Sequence, residues 1–291
     1  MNKLLMVIAS ILMYLGSVGA ASAEELKIGV LANRGVLESK TRWAEFGRYL
    51  NDEGGMSVTL IPLPPAKVNA AVANGEVDII FSHSPHTVYA TEKFGAEVLA
   101  TLNTSAGSKF GGVILAKKGS GINRAEDLKG KRVMSLKFNS AAGAYIFQAH
   151  YLLKKGIDPQ KDFASIKEGK KQDDLVLAVR AGLIDAAFVR TGLLEKMHRE
   201  GKINKDDFVV VDAKSVPGFN LALTTDLYPE WCVSALPKVS SRNKAKLKTA
   251  LLEMTPDMVA ARRASITGFV EPVDMEGIKD ALKTLKVTPY N

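Results

Sequence analysis

Residues 177–189, LAVRAGLIDAAFV, and residues 70–81, AAVANGEVDIIF, carry one plan twice: a short helix, a Gly turn, then a strand containing Asp. Gly182 and Gly75 stand where each helix ends, a place suited to the left-handed conformation that glycine adopts without a Cβ clash. One such connection is routine in any α/β protein. One in each half of the chain predicts two similar lobes.

Working outward, strands are expected at 26–31, at 58–63 before Pro64-Pro65, and at 77–81, with helices at 41–51 and 67–74 between them. Trp43, Phe46 and Leu50 form the apolar stripe of the first helix. After Lys109 a strand over 111–116 is read as crossing to the other lobe. There strands at 132–136, 186–189 and 208–211 alternate with helices at 141–155, 174–181 and 193–200, each of these helices followed by a Gly. Pro217-Gly218-Phe219 marks a return, and the last third reads as mostly helical, with 240–254 its longest helix. The expected division is a signal at 1–23, one discontinuous lobe of 24–107 plus 216–291, and a second lobe of 108–215.

Met1-Asn2-Lys3, the apolar run of 4–18 and Ala21-Ser22-Ala23 before Glu24 have the form of a cleavable secretory signal, which predicts a periplasmic mature chain that does not span the membrane. The formal charge of +8 is scattered along helical faces without interleaved aromatics, so it argues against a nucleic-acid partner and for attraction of small anions. Cys232 is the sole cysteine, so no intramolecular disulfide is available.

Signatures of catalysis are missing. His83-Ser84-Pro85-His86 offers two imidazoles, but Pro85 is expected to interrupt regular geometry and no nearby Cys completes a zinc set. Residues 107–112 do not form a phosphate cradle, no Gly-x-Ser-x-Gly elbow occurs, and Asp173-Asp174 reads as a solvated helix start. No enzyme activity, metal or cofactor is expected.

Binding chemistry is easier to place. Asn139-Ser140 precedes an expected helix start, where backbone N–H groups and the helix dipole favour an anion; the plainer alternative is an ordinary N-cap. Arg190-Thr191 ends a strand, where α/β ligands commonly sit, and a guanidinium offers a fork to an oxyanion; the plainer alternative is a surface pair with Glu195. Ser82-His83 ends the matching strand of the other lobe, where it either closes over the ligand or is a plain strand-end loop.

Residues 120–136 (SGINRAEDLKGKRVMSL), 139–145 (NSAAGAY), 154–163 (KKGIDPQKDF) and 175–197 (LVLAVRAGLIDAAFVRTGLLEKM) together resemble the phosphate/phosphite/phosphonate substrate-binding family of type II periplasmic binding proteins. The likeness runs from about residue 26 to the C-terminus. Residues 190–208, 227–231 (LYPEW) and 235–240 (ALPKVS) are more closely similar to the periplasmic sensor domain of tetrathionate-sensing histidine kinases. The resemblance implies an α/β fold of two lobes, each a mixed sheet flanked by helices, closing on a small anion. It implies a monomer serving either an ABC permease or a sensor histidine kinase. Residues 139–145 match the family's Ser/Thr-Gly anion loop, with Ala141 and Ala142 where phosphonate binders carry hydroxyls. Pro65, Ser82, Gln172 and Gly192 stand where those binders place two tyrosines, a histidine and an acid, which brings Gln172 into the candidate set. The departures point to a sulfur oxyanion or small carboxylate; Phe110, Phe138 and Trp43 either line the pocket or take the commoner aromatic role of packing in the core.

Overall fold

The Asp of each repeated unit turns out to be a clamp. Asp78 accepts the backbone N–H of Lys27 at 2.7 Å, and Asp185 accepts that of Arg132 at 2.8 Å. In return the N–H groups of Asp78 and Asp185 donate to the carbonyls of the same two residues. Each unit thus ties its strand to the start of a parallel neighbour by the same device, in two different sheets.

A computed structural model describes residues 25–291; the signal expected over 1–23 lies outside the described residues. In chain order the first part contains β1 (Glu25–Leu31), α1 (Val36–Asp52), β2 (Ser57–Leu63), α2 (Pro65–Ala73), β3 (Ile79–Ser82), α3 (Ser84–Phe94) and β4 (Glu97–Asn103). Then come β5 (Lys109–Phe110), β6 (Gly112–Lys117), β7 (Arg132–Ser135), α4 (Ile146–Lys154), β8 (Ser165–Glu168), α5 (Gln172–Arg180), β9 (Ala186–Arg190), α6 (Leu193–Arg199) and β10 (Phe208–Val210). The chain closes with β11 (Tyr228–Pro229), β12 (Cys232–Ala235), α7 (Ser241–Leu252), α8 (Val259–Ala264), β13 (Gly268–Val270) and α9 (Glu276–Thr284).

A six-stranded sheet runs β13-β4-β12-β3-β1-β2 and a five-stranded sheet runs β10-β6-β9-β7-β8, both mixed. The five-stranded sheet is buried on both faces. Val113, Leu115, Ala187 and Val189 pack with α5 residues Leu175, Val176 and Val179, while Ile114, Ala116, Ala186 and Phe188 pack with Phe147, Ala149 and Leu152 of α4. This is the period-2 alternation of a strand, with both sets apolar because helices cover both sides. Ile278, Ala281 and Leu282 of α9 join the core around Phe147, and α9 packs against both α3 and α4.

The structure corrects the sequence reading in four places. The last third is not mostly helical: β12 is an interior strand, antiparallel to β3 and β4, and β13 forms an edge. At four residues, CVSA, β12 is too short to show a strand period. Second, Pro85 does not interrupt a helix but sits in the first turn of α3, where its missing N–H removes nothing. Third, β3 begins at Ile79 rather than Val77, because Asp78 occupies the clamp. Fourth, the helix expected over 141–155 is broken: a 3₁₀ turn covers Ala142–Ala144, Tyr145 is non-helical, and α4 starts at Ile146.

Among the described residues no helix is long and apolar enough to cross a membrane.

Candidate functional site

The chain passes between the sheets along a two-stranded ribbon. β5 and β11 pair antiparallel, with Tyr228 opposite Phe110, and the N–H of Glu230 donates to the Ser108 carbonyl at 2.9 Å. Phe110 and Glu230 therefore arrive together at the crossing. Arg190 arrives from the end of β9, in register with Gly112 of β6. Its guanidinium lies 5.0 Å over the Phe110 ring, and Nη2 donates to Oε1 of Glu230 at 2.9 Å. The Glu230 side chain is 5% exposed and that of Arg190 42%, so the carboxylate is the buried anchor and the guanidinium keeps an open side. The alternative partner Glu195 is thereby corrected: its Oε1 accepts instead from the Ala222 N–H.

Three polar side chains hold the root of Arg190. Gln172 Oε1 accepts the Arg190 N–H at 2.8 Å. Thr191, 3% exposed, donates its N–H to the Gly111 carbonyl and accepts the Gly111 N–H on Oγ1. The fully buried Gln148 amide donates to the carbonyls of Gly143 and Val189 at 2.9 Å and of Val113 at 3.2 Å. Gln172 and Thr191, expected as ligand contacts, stand here as supports of the backbone around Arg190.

The same Gln148 contact explains the broken helix. It captures the Gly143 carbonyl, and the turn packs so closely that a Cβ at Gly143 would lie 2.9 Å from the Phe110 ring and 3.1 Å from Arg190 Cβ. Asn139 is exposed on the turn before it and Ser140 is half-buried. Neither caps α4, so their expected role at a helix start is corrected: they lie on the loop that abuts Arg190 through Gly143.

On the other sheet Ser82 is fully buried and its Oγ has no partner among the described residues. His83 is the N-cap of α3, and its ring stacks on that of His86 at 4.5 Å and 9°. His86 Nδ1 meets Asn69 Oδ1 at 2.7 Å, while His83 Nδ1 and His86 Nε2 are buried without a partner. Burial pushes the His83 imidazole down to about 4, and the nearby Arg190 charge acts in the same direction. Burial, then His83, holds His86 well below the ordinary imidazole range. Both rings are therefore neutral near pH 7, and the wall they form is polar without being charged.

Among the described residues no group of three or more His, Cys, Asp or Glu is placed to hold a metal. Cavities of about 350 Å³ between α1 and β2 and about 470 Å³ beside Phe219 are lined by none of these site residues. The site is the convergence of side chains at the crossing ribbon. Sequence reasoning missed Glu230. Its signal was a lone acid inside the apolar run 227–233, LYPEWCV, a position where a carboxylate needs a partner.

Residues 28–276 match the family model described as ABC transporter, phosphonate, periplasmic substrate-binding protein. The chain belongs to this family. Among curated proteins it is 32% identical over 230 residues to the tetrathionate sensor histidine kinase TtrS of Salmonella typhimurium, a match that takes in 77% of this chain. The chain spans 38% of the length of that relative. Among solved structures, PhnD1 from Prochlorococcus marinus in complex with methylphosphonate superposes with a TM-score of 0.71 at 16% identity, covering 90% of this chain and 98% of that one. A binding protein component of an ABC phosphonate transporter from Pseudomonas aeruginosa gives 0.68 at 17% identity, over 91% and 87% of the two chains. At those identities the likeness is one of fold. This member of the family has the two-lobed α/β fold of type II periplasmic binding proteins.

Proposed function

We propose that this protein captures a small anion between its lobes, with Arg190 supplying positive charge from the five-stranded side and Ser82 and His83 supplying polar contacts from the other. The observation that carries the reading is the Arg190 guanidinium stacked on Phe110 and anchored by the buried Glu230, with one side open. A guanidinium held this way offers a fork worth about 1.5–3 kcal/mol per charge-assisted hydrogen bond. Asn139 and Ser140 add donors from the loop packed on Arg190. The expected lobes, 24–107 plus 216–291 and 108–215, are adjusted for α9, which packs into the core of the five-stranded side; the hinge is the β5–β11 ribbon, and a ligand touching both lobes favours the closed form. The protein carries out no chemistry on what it binds.

The membrane partner is an ABC permease, as the family description supports. The 32% identity to a sensor histidine kinase supports a second reading, in which the closed form is presented to a kinase. The neighbouring genes separate the two: permease and ATPase genes favour import, kinase and regulator genes favour sensing. Export is proposed to proceed through removal of residues 1–23, so N-terminal sequencing of periplasmic material should begin at Glu24.

Calorimetry with tetrathionate, methylphosphonate, sulfate, methanesulfonate and acetate tests the capture reading. Binding of at least one, weakened by about 30- to 1,000-fold in Arg190→Ala, is expected, equivalent to about 2–4 kcal/mol. No binding to any, or no loss in a folded Arg190→Ala, overturns it.

A further inference from the structure

Arg42 is built like Arg190. It stands on α1, and its guanidinium carbon lies 4.6 Å from the centroid of the Trp43 ring, as that of Arg190 lies 5.0 Å from Phe110. One acceptor anchors it: Nε donates to the Ala264 carbonyl at 2.9 Å, capping the end of α8. Among the described residues no acceptor meets its Nη1 or Nη2, and no carboxylate lies within ion-pair distance of it. A planar fork fixed by a ring and a single carbonyl, with its outer nitrogens unpartnered, is prepared for an oxyanion.

Arg42 also stands in the right place. Trp43 contacts Phe81 at 4.7 Å and Trp231 at 6.2 Å between ring centroids, and these are the residues just before Ser82 and just after Glu230. Arg42 is thereby set beside the crossing, on the six-stranded side, while Arg190 stands on the five-stranded side. The charges sense one another: after burial and Glu38, Arg34 and Arg190 are what disfavour the charged form of Arg42, and Glu230 favours it.

We propose that Arg42 is the second anion-binding guanidinium of the site, gripping the far end of a ligand with two anionic ends while Arg190 holds the near one. The proposal rests on the capture reading and adds a residue and a ligand class to it. Such a ligand links one arginine from each lobe, so its affinity is coupled to closure in a way that a singly charged ion cannot match.

The test is calorimetry with tetrathionate as the two-ended probe and methanesulfonate as the singly charged comparison. Arg42→Gln should weaken tetrathionate by about 10- to 100-fold and change methanesulfonate by less than about threefold. Arg42→Lys, which restores the charge without the fork, should recover part of the loss. Thermal unfolding of each variant checks that the loss of the Ala264 bond has not unfolded α8; if Arg42→Gln is unfolded, the Arg42→Lys comparison decides, and wild-type affinity there overturns the proposal. Unchanged tetrathionate affinity in folded Arg42→Gln overturns it while leaving Arg190 and the capture reading in place. Wild-type protein that binds other panel members but not tetrathionate also overturns it, again without harm to capture. Only failure to bind any panel member brings down both.

Discussion

Arg190 and Glu230 form an unequal ion pair: 2.9 Å apart, with a carboxylate side chain 5% exposed and a guanidinium side chain 42% exposed. Removing the exposed partner leaves the buried one without compensation, whereas removing both leaves no charge to solvate.

Arg190→Ala should accordingly destabilise the ligand-free protein by about 1–3 kcal/mol, on top of its effect on binding. The double variant Arg190→Leu with Glu230→Leu should recover most of that stability and none of the anion affinity. Urea unfolding followed by circular dichroism measures the first, calorimetry the second. Equal stability of wild type and Arg190→Ala would show that Glu230 finds water or another donor.

Stability should also fall with acid. The folded His83 imidazole titrates at about 4 against an ordinary 6.5, with burial the main cause. The unfolded chain therefore takes up the proton first as pH drops. The contribution is complete above about 6.5, is lost between 6.5 and 4, and does not change further below that. His86, shifted the same way by burial, steepens the loss. Each imidazole adds a slope of about 1.4 kcal/mol per pH unit inside its window. Unfolding free energies measured from pH 7 to pH 4 in wild type and His83→Gln should show a shallower dependence in the variant; parallel curves would remove His83 as a cause.

What the sequence made legible, and what it concealed, follows from how local each signal is. The two helix–Gly–strand units at 70–81 and 177–189 are contiguous, so period, turn glycine and strand can be read together, and Arg190 is found by counting to the strand end. Glu230 lies 40 residues further on, and its role comes from the antiparallel pairing of Tyr228–Pro229 with Lys109–Phe110, a contact across the whole second lobe. Strand Cys232–Ala235 is interior only because β3 and β4 flank it, and its own residues are too few to declare a face. Arg42 adjoins the apolar stripe of Trp43, Phe46 and Leu50, and nothing in helical spacing says that Ala264 orients it. The position of Ser140 is not legible in the sequence because the break at Tyr145 is imposed by Gln148 and Gly143 rather than by a helix-breaking residue.

Cys232 should be inert in the native protein. It is fully buried, and burial raises its thiol to about 12, so almost no thiolate exists near pH 7. A thiol-specific chromogenic reagent should label it no faster than global unfolding and fully in concentrated guanidinium. Rapid stoichiometric labelling of native protein would mean that β12 opens locally.

Gly143→Ala should damage the site without touching a charged atom. The added Cβ would stand 2.9 Å from the Phe110 ring and 3.1 Å from both Arg190 Cβ and the Gly111 carbonyl oxygen. Phe110 is buried against Phe147 and cannot swing aside freely, and the Gly111 carbonyl is held by the Thr191 N–H. The loop carrying Asn139 and Ser140 must therefore lift, or the ring must slide out from under the guanidinium. Overpacking of this kind destabilises by about 1–3 kcal/mol. The distinguishing consequence is in binding: whichever group yields, the Arg190 fork loses its alignment with Asn139 and Ser140, so anion affinity should drop by at least about tenfold although every candidate ligand-contacting side chain is still present. Calorimetry on Gly143→Ala, with circular dichroism to confirm the fold, measures this. Wild-type affinity in the folded variant would show that the loop on Arg190 takes no part in holding the anion.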